Sequence, residues 1–204
     1  MTIPRLAVLD LETSGLRAAR HRILQAATIT IDADGHELGA WSSYVRLRWP
    51  LQRVGPRRIH GIRRSTLRGA PRLGDALAAL ADALDGTLVA AHHAAFDVEF
   101  VRAAALHAEP DVRARLLAAT ERSLCTLEMS RATDPDRRRS HRLTDVCRYY
   151  DITIDRPHDA RCDARATAAL VPILLAELGV KSFDQLEPFL VPAPTSALAA
   201  AAPS

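Results

Sequence analysis

The sequence is poor in cysteine and lysine, sparing in aromatics, and has no long apolar run. Its three cysteines (Cys125, Cys147, Cys162) are odd in number and form no CxxC pair, which argues against a disulfide framework or a thiolate zinc site. No apolar stretch approaches the roughly 20 residues that cross a bilayer, so no membrane partner is expected. The N-terminus lacks a signal-peptide layout, because Asp10 and Glu12 fall where an apolar core would continue. The expected location is cytoplasmic. Lysine occurs only at Lys181, so the cationic surface is made of arginine.

What is present reads as one globular domain. Hydrophobic residues make up 48% of 204 positions and charged residues 25%, enough for a sizeable core under a polar surface. The domain is expected over residues 1–190. The remainder, 191–204 (VPAPTSALAAAAPS), is low in complexity and is expected to be a disordered tail. The net charge of +3 is modest but uneven. Arg46, Arg48, Arg53, Arg57, Arg58, Arg63, Arg64, Arg68 and Arg72 crowd one segment with no acid among them. Arg137, Arg138, Arg139, His141 and Arg142 form a second cluster. Such bands suit phosphate backbones, since each neutralised phosphate releases a counterion. A plain solvated surface is the competing reading.

Periodicity outlines the elements. Residues 5–12 read as a strand with Leu6, Val8, Asp10 and Glu12 on one face and Ala7, Leu9 and Leu11 on the other. Residues 23–31 and 37–48 continue as two more strands around the turn DADG at 32–35, an antiparallel meander. The segment 49–72 reads as a long loop with short helical pieces. Leu73, Leu77, Leu80 and Leu84 share a helical face. GTLVAAH (86–92) reads as a buried parallel strand, followed by a helix over 96–107. A short strand is expected at 122–126, a helix around Leu143–Tyr150 and a last long helix over 159–178, kinked or broken at Pro172. KSFDQLEPFL adds one short helix. Three antiparallel strands followed by strand–helix alternation indicate an α/β domain with a mixed sheet.

The chemistry begins with AVLDLETSGL at 7–16. Side chains i and i+2 of a strand point the same way, so Asp10 and Glu12 project together. Two carboxylates about 4 Å apart repel by roughly 4 kcal/mol at an effective dielectric of 20. A proton or a cation must answer them. Asp97 follows the buried strand in AHHAAFDVEF (91–100), and HDARCD (158–163) supplies His158 and Asp163 at a helix start. Five residues turn a helical side chain by about 140° net, so His158 must sit on the loop before that helix if it is to meet Asp163. Of the adjacent His92 and His93, one should face the core and be hydrogen-bonded. Four acids and one imidazole, each at the end of an apolar element, suit two Mg²⁺ or Mn²⁺ ions and a general base that together cut a phosphodiester.

These three motifs, DLETSGL at 10–16, HHAAFD at 92–97 and HDARCD at 158–163, resemble those of the DEDDh 3′–5′ exonucleases, the DnaQ-like group of the DNA polymerase III epsilon subunit. IHGI at 59–62 and LTDVCRYYDI at 143–152 agree with it. The resemblance implies a ribonuclease-H-like α/β fold, with a five-stranded mixed sheet (three antiparallel strands, then parallel ones) flanked by helices. It implies Asp10, Glu12, Asp97 and Asp163 as ligands of two Mg²⁺ or Mn²⁺ ions and His158 as general base. It also implies Thr13 and Leu16 at the terminal-nucleotide pocket, His60 at the strand end and Phe96 near the sugar. His93 stands where the family commonly has Asn. The implied reaction releases nucleoside 5′-monophosphates from the 3′ end of single-stranded or frayed DNA, as in proofreading. The partners expected are DNA or RNA 3′ ends, with a DNA polymerase left open. The alternatives are an exoribonuclease acting on short RNA or tRNA ends, and a non-catalytic nucleic-acid-binding module.

Overall fold

A computed structural model describes residues 1–49 and 52–194. Its centre is a six-stranded sheet built from β1 (Leu6–Thr13), β2 (Ile23–Ile31), β3 (Glu37–Tyr44), β4 (Leu88–Ala91), β5 (Arg122–Cys125) and β6 (Leu190–Pro192). The spatial order is β3-β2-β1-β4-β5-β6. β1, β2 and β3 form the antiparallel meander, β4 and β5 run parallel to β1, and β6 closes the far edge antiparallel to β5.

The expected five-stranded sheet therefore gains a sixth strand. Leu190–Pro192, which straddle the start of the expected tail, pair with Arg122–Leu124 instead. Pro192 stands on an edge strand, where a missing N–H costs no ladder bond. The part of the tail beyond 194 lies outside the described residues.

The alternation of β1 divides the core in two. Leu6 and Val8 join one cluster with Ile29 and the apolar side of α8 (Ala160–Glu177). Ala7, Leu9 and Leu11 join the other with α3 (Leu73–Leu84) and α4 (Ala94–Ala105). Helices thus cover both faces, and β1, the strand that carries Asp10 and Glu12, is sealed between them. α1 (Arg57–His60) and α2 (Arg64–Arg68) are the short helical pieces of the arginine-rich loop. α5 (Pro110–Ala119) and α6 (Thr126–Ala132) complete the crossovers, and neither stands out in the apolar pattern. α7 is Leu143–Tyr149, and a 3₁₀ helix spans Phe183–Phe189.

α8 runs through Pro172 as one element of 18 residues, so the expected break does not occur. An interior proline costs about 3 kcal/mol. Here Leu170, Val171, Leu174 and Leu175 are buried on either side of it. Each such burial contributes about 1.5–3 kcal/mol, which outweighs the lost bond. No described helix is long and apolar enough to cross a membrane.

Candidate active site

β1 is the rail on which the site is built. Asp10 and Glu12 continue the face of Leu6 and Val8, toward α8. Between Glu12 and Thr13 the register with β2 shifts, pairing Glu12 with Gln25 but Thr13 with Ile23. Such a bulge bends the strand end and re-aims its side chains. The loop that follows is pinned: Thr13 Oγ1 donates to the Gly15 carbonyl at 2.8 Å. Ser14 N–H donates to the Arg22 carbonyl at 2.9 Å, and Arg22 N–H donates to Ser14 Oγ at 3.0 Å. Gly55, at φ +82°, lies so close to this loop that a Cβ would sit 2.4 Å from the Ser14 carbonyl oxygen.

α4 supplies Asp97. Its N-cap, His93, has a left-handed backbone (φ 79°, ψ 52°), which swings the chain from β4 into the helix and leaves Asp97 in the first turn. His92 faces inward and is held through Nδ1 by Thr126 Oγ1 (3.0 Å) and through Nε2 by the His141 carbonyl (2.9 Å), as expected for one of the pair.

α8 supplies the last group. His158 precedes it in a left-handed conformation, φ 64°, and so sits on the loop, as the spacing argument requires. Its backbone N–H donates to Asp163 Oδ2 at 3.0 Å. Asp159 caps the helix, accepting from Arg161 N–H at 3.2 Å and Cys162 N–H at 3.4 Å. Gln25 Oε1, opposite Glu12, accepts from Ala160 N–H at 3.4 Å and ties β2 to the helix start.

The groups converge. Ligand atoms of Glu12, His158 and Asp163 all lie within 4.8 Å of one another. Burial, then Asp97, Asp163 and Glu12, push the Asp10 carboxyl well above its usual range. Burial pushes Glu12 up to about 7, with Asp163 and Asp159 adding to it. Asp97 is raised by burial and by Glu12, against the opposing effect of its own amide and that of Leu11. Asp163 is raised by burial, which the His158 N–H bond partly offsets. Asp159 is a fifth carboxylate that the sequence reading missed. Its signal was the N-cap preference for Asp just before a helix.

Such a cluster is costly without positive charge among it. Glu12, Asp97 and Asp163 are buried, and Asp163 Oδ1 has no hydrogen-bond partner. An all-oxygen carboxylate set with one orphaned oxygen fits a hard divalent cation such as Mg²⁺ or Mn²⁺.

The remaining expected site residues ring this centre. His60 is buried, its Nδ1 accepting from Ile62 N–H at 3.0 Å while Nε2 has no partner. Burial lowers its pKa, the Val54 backbone partly offsets this, and nearby His158 lowers it further; with Nδ1 accepting from Ile62, the ring's proton belongs on Nε2. Phe96 is half-buried, its ring centroid 5.0 Å from Phe100 and 6.3 Å from the nearly parallel His93 ring. Leu16 projects outward, 81% exposed, at the tip of the pinned loop.

The site lies at the carboxyl ends of β1 and β4, where the chain leaves β1 toward one side of the sheet and β4 toward the other. α/β sheets place ligand sites at such points. Comparison with known proteins bears on the family. The exonuclease family model RNase T matches residues 7–171. The chain is 30% identical over 188 residues to the PolC-type DNA polymerase III of Streptococcus pyogenes serotype M18, covering 90% of this chain and 12% of that protein. It is 27% identical over 186 residues to the PolC-type polymerase of Bacillus subtilis, again covering 12% of its length. The chain thus spans about an eighth of these relatives. Among solved structures, Exonuclease X in complex with 5′ overhanging duplex DNA superposes with a TM-score of 0.68 at 20% identity, over 90% of this chain and 99% of that one. Exonuclease I of Escherichia coli in complex with a dA16 oligonucleotide gives 0.73 at 20% identity, over 89% and 42%. The chain belongs to the RNase T family of 3′–5′ exonucleases.

Proposed function

We propose that this protein removes nucleoside 5′-monophosphates from the 3′ end of single-stranded or frayed DNA, in the manner of a proofreading nuclease. The convergence of Glu12, His158 and Asp163 on one small volume, with Asp10 and Asp97 acting electrostatically on the same place, carries this reading. Asp10, Glu12, Asp97 and Asp163 would hold two divalent ions, Mg²⁺ or Mn²⁺. When bound, such a pair lowers the pKa of a water and neutralises charge on the leaving oxygen.

The protein's own groups do the rest. His158, on an exposed loop beside Glu12 and Asp163, takes the proton from the attacking water. The His158 amide fixes the Asp163 carboxylate, and Asp159 holds the start of α8 in register. His60 Nε2, a proton donor with no partner, suits the 3′-hydroxyl end. Phe96 presents a ring face to the terminal sugar, and Thr13 and Leu16 border the nucleotide on the β1 side. DNA is favoured because the relatives at 27–30% identity are DNA polymerases. A polymerase partner fits the same relationship, and RNA ends are the second substrate class.

Matched 5′-labelled DNA and RNA oligomers, digested with Mg²⁺, test this. A ladder shortened from the 3′ end, faster on DNA, with mononucleotide 5′-phosphates as product, is expected. Faster RNA shortening moves the assignment to an exoribonuclease. Salt-sensitive binding without cleavage in Mn²⁺ moves it to a binding module.

A further inference from the structure

Gln25 is out of place by composition. β2 reads ILQAATITI and is buried along nearly its whole length, and Gln25 is 4% exposed between Leu24 and Ala26. An amide buried in such a strand costs stability unless it is hydrogen-bonded. Gln25 Oε1 finds its donor outside the sheet: it accepts from the Ala160 N–H of α8 at 3.4 Å, 135 positions away in sequence.

That bond completes the start of α8. The first N–H groups of a helix have no carbonyl one turn back and must be met from elsewhere. Asp159 Oδ1 accepts those of Arg161 and Cys162. The Asp163 N–H reaches the Asp159 carbonyl at 3.0 Å. The Ala160 N–H remains, and Ala160 is fully buried. Gln25 is therefore a helix cap supplied by the sheet.

The two elements that carry Glu12, His158 and Asp163 meet at this residue. Gln25 stands directly opposite Glu12, in the last pair before the register shifts, so the two side chains share a face with Cβ atoms about 5 Å apart. On α8 the bond falls two residues after His158 and three before Asp163. Beyond it, Ala164, Ala168 and Val171 of α8 pack with Val8, Ala27 and Ile29 in one apolar cluster. Apolar packing is non-directional. It holds the helix on the sheet without fixing how far the helix slides or turns, whereas a hydrogen bond at its first residue does. A second polar tie, Arg165 to Glu37 on β3, is exposed and screened by solvent.

We infer that Gln25 is a positioning residue for the metal receptor. Its amide oxygen sets the start of α8 against β1, and with it the approach of His158 and Asp163 to Glu12, whose ligand atoms lie within 4.8 Å of one another. Gln25 lies outside all three acidic motifs. The inference rests on the exonuclease reading and deepens it, by naming what holds the two halves of the site in register.

The test compares three variants of the full chain. Gln25→Met has similar length but no amide oxygen. Gln25→Asn has an amide one methylene too short to reach, and carries the comparison should Gln25→Met fail to fold. Gln25→Glu restores an acceptor at full length. In EDTA, hydrogen exchange at the Ala160 amide, followed by NMR, should quicken in the Met and Asn variants and slow again in the Glu variant. Mn²⁺ affinity by calorimetry should fall about 10–100-fold in the first two, the usual effect of removing a group that orients metal ligands, and Gln25→Glu should recover most of it. On a 20-mer oligothymidylate at saturating Mg²⁺, kcat should fall in the same order by about tenfold or more, while KM holds. A lowered melting temperature with wild-type Mn²⁺ affinity and kcat would make Gln25 a residue of the core alone and overturn the inference. So would a Glu variant that loses as much as the Met variant. Exchange and Mn²⁺ binding need no cleavage, which separates the two claims. Unchanged Mn²⁺ affinity refutes the positioning role even if the wild type cuts DNA, and weakened affinity with faster Ala160 exchange supports it even if the wild type cuts nothing.

Discussion

The backbone N–H of His158 bonds to Asp163 Oδ2 at 3.0 Å, and His158 adopts a left-handed backbone, φ 64°, in making that bond. One residue thus places an imidazole beside the acids and aims a carboxylate among them. The second Asp163 oxygen is left buried and without a partner. A non-glycine residue in this conformation costs of order 1 kcal/mol, and here it sits beside Glu12 and Asp163.

His158→Gly separates the two roles. Glycine takes φ 64° without steric cost and keeps the amide bond to Asp163. The variant should melt within a few degrees of the wild type, while kcat falls about 10²–10⁴-fold, the usual worth of a general base. Thermal melts and single-turnover rates in Mg²⁺ check this. Near-normal kcat would remove His158 from proton transfer.

Asp10→Asn should trade activity for stability. The wild-type carboxyl is raised by burial and by four neighbouring acids, Asp97, Asp163, Glu12 and Asp159, so neutralising it relieves repulsion in the ion-free protein. Its melting temperature in EDTA should exceed that of the wild type. Hydrolysis should fall by about 10³-fold, the upper range for one lost electrostatic group. Calorimetry with and without EDTA, beside an oligonucleotide assay, reads both effects.

The same cluster sets a pH dependence. Glu12 is raised from 4.5 to about 7 in the folded chain. Between those values the folded state binds a proton that the unfolded state does not. Stability from this group is therefore fully present below about 4.5 and is lost as pH rises through about 7. The loss is on the order of 3 kcal/mol. In EDTA, the wild type should lose stability relative to Glu12→Gln between pH 5 and pH 8, and Mg²⁺ at pH 8 should restore it. Urea titrations of the pair measure the difference.

Much of this was legible in the chain because of alternation. Leu6 and Val8 against Ala7, Leu9 and Leu11 gave both faces of β1, and the same phase carried Asp10 and Glu12 to the α8 side. His158 had to lie on a loop, because helical geometry forbade the alternative. Other elements left weaker traces. α5 buries only Leu116, too little for an apolar stripe. β6 is three residues paired across 66 to 70 positions of sequence, a contact that no local pattern encodes. Pro172 misled, because local propensity knows nothing of the packing on either side of it. Asp159 was hidden in plain view beside His158, its role set by where α8 begins.

His93 offers a test of backbone demand at the start of α4. Its left-handed φ of 79° favours Asn and penalises β-branched residues. His93→Asn should leave the melting temperature nearly unchanged, whereas His93→Val should cost about 1–3 kcal/mol. Urea unfolding of the two variants decides it, and equal stabilities would contradict the account of this turn.

The central claim is that Asp10, Glu12, Asp97 and Asp163 form a receptor for divalent cations, and calorimetric titration of the ion-free protein with Mn²⁺ tests it most directly. Two ions per chain, falling to one or none in Asp10→Ala and Asp163→Ala, is the predicted result. Titration that shows no saturable Mn²⁺ site, or a stoichiometry indifferent to both substitutions, would contradict it.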